Sequence, residues 1–130
     1  SILLVEDEPA VRKMTTSVLA RAGFSVIEAA DGSAGLQVCA DPSKTIDLVV
    51  TDMVMPHIGG RDLARGVRAV RPGMPMVFMS GYSRTAIDDE EVIANARFVE
   101  KPFTADALLA AVREMLDRAA AAAARRSKAS

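Results

Sequence analysis

The chain has little of what builds covalent or soft-metal frameworks. Cys39 is the one cysteine in 130 residues, so an internal disulfide and a metal-thiolate cluster are both excluded. Such cysteine usage points to a reducing, cytoplasmic setting. No apolar run approaches the roughly 18 residues of a membrane span, and no signal peptide opens the chain. Membrane contact by this domain is therefore not expected. An excess of one charge is also missing: Lys+Arg 16 against Asp+Glu 17 leaves −1, which argues against a general nucleic-acid binder. Neither GxGxxG nor GxxxxGK[ST] occurs, so a phosphate-cradling glycine loop is absent. The length suits one domain with a substantial core. The chain opens directly in an apolar strand run at Ser1-Ile2, which suggests an excerpt from a longer protein.

What is present is a repeating pattern centred on Ile46 to Pro56, IDLVVTDMVMP. Leu48 to Thr51 is a short apolar, β-branched run that stops at one carboxylate, Asp52, and turns at Pro56 and Gly59-Gly60. Such a run reads as a strand buried on both faces. A carboxylate at its carboxyl end lies at the rim where α/β sheets bind ligands. Ile2 to Val5 is a second such run, ending in Glu6-Asp7-Glu8, with Pro9 suited to a first helical turn. Val11, Met14, Val18 and Ala22 recur at helical spacing before Gly23, a helix stop. Phe24 to Ala29 reads as a short strand. Asp31-Gly32 is a turn or cap before a helix through Leu36 and Cys39.

Leu63, Val67 and Val70 mark a third helix, closed by Arg71-Pro72-Gly73. Met76 to Met79 is a buried strand ending at Ser80. Ser83 to Ile93 is a weaker helix carrying the acidic run Asp88 to Glu91, and Arg97 to Glu100 is the last strand, ending at Lys101-Pro102. Thr104 caps a final helix with Leu108, Val112 and Leu116 on one side. Strands alternating with helices predict an α/β, doubly wound, five-stranded parallel sheet as a single domain over residues 1–118. Residues 119–130 read as an alanine-rich helical extension and tail.

Parallel strands share one carboxyl edge, so Glu6, Asp7, Asp52, Ser80 and Lys101 can meet in one cleft. Three carboxylates together call for a cation, and hard oxygen ligands suit Mg²⁺. Lys101 and Ser80 add a positive charge and a hydroxyl donor, and together the set would stabilise a phosphoryl group on Asp52. Taken alone, Glu6 has the alternative of a solvated strand end, and Glu8 reads as one. His57 is expected to be exposed, Cys39 to be packing, and Met53, Met55, Met74, Met76 and Met79 to fill core and loop.

In these residues the chain resembles the receiver domain of two-component response regulators. The resemblance rests on Glu6-Asp7 after the first strand, Asp52 in TDMVMP, Gly60, Ser80 after the fourth strand and Lys101-Pro102-Phe103. It covers Ile2 to about Leu116. FMSGYS and TDMVMP look like receivers fused to hybrid sensor kinases. The resemblance implies a flavodoxin-like sheet of order 2-1-3-4-5. It implies a phosphoacceptor domain rather than a turnover enzyme, with Asp52 as the nucleophile. Mg²⁺ would be held by Asp7, Asp52 and the Val54 carbonyl, with Glu6 acting through water. Lys101 would pair with the phosphoryl group, and Ser80, Phe98 and Tyr82 would form the switch. The implied partner is a sensor histidine kinase or histidine phosphotransfer protein, and the chain would be a monomer or a phosphorylation-dependent dimer.

Other readings stand beside it. A haloacid-dehalogenase-type phosphatase needs a second Asp two residues on, where Val54 stands. A flavodoxin-like cofactor binder fits the fold alone. A pseudo-receiver that only docks proteins would not need the complete acidic and Lys101 set.

Overall fold

The computed structural model describes residues 1–55, 57–80 and 95–129, with side chains through 125. Its elements run β1 (Ile2–Val5), α1 (Pro9–Arg21), β2 (Val26–Ala29), α2 (Gly32–Ala40), β3 (Leu48–Asp52), α3 (Gly60–Val70), β4 (Met76–Ser80), β5 (Ala96–Glu100) and α4 (Ala105–Ala129). The expected helix at 83–93 and Tyr82 lie outside the described residues. The five strands are parallel in the order β2-β1-β3-β4-β5, so the expected topology holds. Among the described residues no helix is long and apolar enough to cross a membrane.

The period-two geometry of a strand sorts its side chains to opposite faces. Leu3, Val5, Val49, Met76 and Phe78 pack with Cys39, Leu63, Ala64 and Val67 of α2 and α3. Ile2, Leu4, Leu48, Val50, Val77 and Met79 pack instead with Leu19 of α1 and Leu108, Val112 and Met115 of α4. The central strands β1, β3 and β4 are buried throughout, which is why they read as continuous apolar runs rather than alternating ones.

Local signals place the helix ends. Pro9 opens α1. The Asp31 carboxylate accepts the Ala34 amide at 2.8 Å as the cap of α2, and the Thr104 hydroxyl accepts that of Ala107 at 3.1 Å before α4. Gly23 takes φ +98, a left-handed conformation that glycine adopts at least cost, and ends α1. The helix α4 continues unbroken through the alanine run.

Several expectations need correction. The buried side of α1 is Thr15 and Leu19, while Met14 is 49% exposed. Thr15 can be buried because its hydroxyl donates to the Val11 carbonyl at 2.7 Å. Val70 is exposed, since the core side of α3 runs through Leu63, Ala64 and Val67. The edge strand β2 starts at Val26 rather than Phe24, because the Phe24 amide still bonds the Leu19 carbonyl at 3.1 Å.

The joint between β3 and α3 has no spare room. A Cβ at Gly60 would lie 2.9 Å from the Met53 Cα and 3.0 Å from the Asp52 carbonyl oxygen. Both are backbone atoms, so relief requires moving the strand end itself. Gly60→Ala is expected to lower stability by about 1–3 kcal/mol in urea unfolding. Stability equal to wild type would show that the joint is free to move.

Candidate phosphoacceptor site

Asp52 is the last residue of β3 and is 7% exposed. Its two oxygens have different partners. Oδ1 accepts the Val54 amide at 3.2 Å, a bond that folds the loop back over the strand end. Oδ2 accepts from Lys101 Nζ at 2.8 Å. Lys101 follows β5, and its amide donates to the Ser80 carbonyl at 2.8 Å, so the end of β4 anchors the residue that reaches Asp52. Ser80 is itself buried at the end of β4.

The first strand supplies the opposing charge. Glu6 and Asp7 leave β1 beside Asp52, and one carboxylate oxygen from each of the three lies within 4.8 Å of the others. Glu6 is completely buried, which removes the alternative of a solvated strand end. Its Oε1 accepts the Glu8 amide at 3.2 Å, while Oε2 has no hydrogen-bond partner among the described residues and lies 3.7 Å from Lys101 Nζ. Glu8 is exposed, as expected.

Burial, then the Asp52 charge, push the Glu6 carboxyl up to about 7. Burial also works against the Lys101 ammonium, but the hydrogen bond and charge of Asp52, with Glu6 and Glu8, outweigh it and raise its pKa. One ammonium thus faces several acids. The orphaned Glu6 oxygen and the all-carboxylate donor set fit a hard divalent cation such as Mg²⁺.

The structure brings Glu6, Asp7, Asp52 and Lys101 together and places Ser80 at the adjoining strand end. Val54 stands 58% exposed two residues beyond Asp52. Phe98 is half-buried on β5 and stacks on Phe78, with ring centroids 5.2 Å apart. Phe78 was not singled out from sequence, because a core strand offers no cue to a ring partner.

The family model for the response regulator receiver domain matches residues 2–113. The chain belongs to the response regulator receiver family. Over 120 residues the receiver is 38% identical to the sensor kinase CckA of Brucella abortus, covering 91% of this chain and 13% of that relative. Over 125 residues it is 31% identical to the transcriptional regulatory protein GlrR of Escherichia coli, covering 93% of this chain and 27% of that one. The receiver thus spans only a fraction of the length of these curated relatives. The crystal structure of the receiver domain from the hybrid histidine kinase CckA matches with a TM-score of 0.75 at 35% identity, over 88% of this chain and 97% of that one. Receivers of this family accept phosphoryl groups in two-component signalling.

Glu6 links the site to pH in the metal-free receiver. A carboxyl whose folded pKa is raised favours the folded state in its neutral form. The cost of ionising it accrues as pH rises from the unfolded value of 4.5 and is complete above about 7. In EDTA, Glu6→Gln is expected to stabilise the receiver at pH 8 by on the order of 2 kcal/mol, and to change little at pH 4.5. Urea unfolding at the two pH values checks this, and an equal effect at both would contradict it.

Proposed function

We propose that Asp52 accepts a phosphoryl group from a phospho-histidine donor in a Mg²⁺-dependent step, and that this alters a protein-interaction face. The observation that carries the reading is the Asp52 carboxylate at 2.8 Å from Lys101 Nζ, within a cluster that also holds Glu6 and Asp7. One carboxylate oxygen attacks phosphorus. The new O–P bond forms as the donor's P–N bond breaks, and the imidazole nitrogen leaves with the electron pair and takes up a proton. Asp7, Asp52 and the Val54 carbonyl would hold Mg²⁺, with Glu6 acting through water. The bound cation would neutralise charge on the transferring phosphoryl oxygens. Lys101 then stays paired, exchanging part of its contact with the carboxylate for a phosphoryl oxygen.

Family membership supports a phospho-histidine donor. The likeness to a hybrid-kinase receiver favours a sensor histidine kinase or a histidine phosphotransfer protein. Ser80 would turn toward the phosphoryl group and Phe98 would follow inward, with Tyr82 as the third switch residue. The responding face would include β5 and α4, in a monomer or a phosphorylation-dependent dimer. No direct nucleic-acid binding is proposed. The receiver unit is taken as residues 1–118, with 119–130 as its extension, in a cytoplasmic setting.

Incubation with acetyl phosphate and Mg²⁺ is expected to add one phosphoryl group, detected by intact-mass spectrometry, and Asp52→Asn is expected to abolish it. Mg²⁺ alone is expected to raise the melting temperature of wild type by mass action. Modification of Asp52→Asn to the wild-type extent, or wild type that neither melts higher nor gains mass, refutes the reading.

The phosphoryl group is further expected to be long-lived. Hydrolysis needs a water in line with the breaking O–P bond. Val54 is exposed near Asp52 and has no polar side-chain atom to orient that water. Val54→Asn is expected to hasten phospho-Asp52 decay several-fold, followed by mass spectrometry after removal of acetyl phosphate. Unchanged or slower decay removes water exclusion as the cause.

A further inference from the structure

Asp7 poses a problem that the site geometry leaves open. Its half-buried carboxylate has no hydrogen bond or ion pair among the described residues. Its position therefore depends on the backbone that carries it. That backbone is the Glu6–Asp7 peptide, a rigid plane that contains the Glu6 carbonyl and the Asp7 amide.

A side chain from α1 holds this plane. Arg12 Nη1 donates to the Glu6 carbonyl oxygen at 2.7 Å in a partly buried setting. At its other end, the Glu6 residue is tied by its amide to the Ala29 carbonyl of β2 at 3.1 Å. With both backbone groups engaged, the chain cannot pivot about Glu6 without losing a bond. Arg12 also sits in the first turn of α1, where no acidic residue occurs. A cation there opposes the helix dipole, so helix stability alone gives no reason for an arginine at this place.

We infer that Arg12 is a positioning residue for the cation site: through the Glu6 carbonyl it sets the direction in which Asp7 presents its carboxylate beside Asp52. The inference rests on the proposed Mg²⁺ reading. The contact joins a charged guanidinium to a neutral carbonyl, which makes it stronger than an ordinary backbone bond. Among the described residues Arg12 makes no ion pair with the carboxylates, and it acts through the loop.

Isothermal titration of the full chain with Mg²⁺ alone tests this without any phosphodonor. Relative to wild type, Arg12→Ala and Arg12→Met are expected to weaken binding about tenfold, the usual order for loss of an outer-shell partner. Arg12→Met keeps most of the apolar stem and remains informative where Arg12→Ala does not fold. Arg12→Lys, which retains one donor, is expected to recover part of the loss. Arg21→Ala, at the far end of α1, is expected to bind as wild type. Wild-type affinity in a folded Arg12→Met overturns the inference alone. No binding by wild type overturns the Mg²⁺ reading and the inference with it. Affinity in Arg12→Lys no better than in Arg12→Met shows that the donor is not what matters, and also overturns it.

Discussion

The contact on which the site depends is the ion pair between Lys101 Nζ and Asp52 Oδ2 at 2.8 Å. Glu6, Asp7 and Asp52 crowd one strand edge, and like charges in a partly buried space repel each other strongly. Lys101 supplies the one described ammonium that meets two of the three, Asp52 directly and Glu6 at 3.7 Å. It cannot balance them all. The remaining negative charge could hold a divalent cation.

That arrangement requires the two halves of the sheet to be in register. Asp52 ends β3, which pairs with β1 on one side and β4 on the other. Lys101 hangs from β5, whose sheet neighbour among the described residues is β4, and the Lys101 amide bonds the Ser80 carbonyl. A slip at any of these pairings would move a charge by a residue's length or turn it to the other face. The burial of β1, β3 and β4 on both faces makes such a slip costly, because it would have to shift two separate core clusters together. Packing that has no chemical role therefore holds the charges at their distances.

The loops have a different character. Met55 roots the β3–α3 loop in the core, and beyond that the loops are tied by a few polar contacts: the Val54 amide on Asp52, the Glu8 amide on Glu6 and the Arg12 guanidinium on the Glu6 carbonyl. Such contacts can be exchanged at modest cost, since a single hydrogen bond contributes only about 0.5–1.5 kcal/mol net. A rigid sheet edge with exchangeable loop contacts suits a domain that must respond to one added group. The Phe78–Phe98 stack connects that edge to β5 through ring packing rather than charge.

The sequence by itself determined the strands, their parallel topology and the acidic and basic residues of the site. Continuous apolar runs ending in polar residues have few other solutions, and parallel strands place all those ends on one edge. It also determined the helix caps at Asp31 and Thr104, because capping is local chemistry. The tertiary structure decided what depends on rotation and enclosure. Helical spacing alone marked Met14 and missed Thr15, since the choice between neighbouring helix faces is made by the sheet beneath. The burial of Glu6 was equally illegible, because a carboxylate after a strand looks the same whether or not another strand end closes over it. Nothing in the sequence tied Arg12 to the Glu6 carbonyl, which the fold brings within 2.7 Å. These properties belong to pairs of residues distant in the chain or set by the direction of a turn, and only the assembled fold brings them into contact.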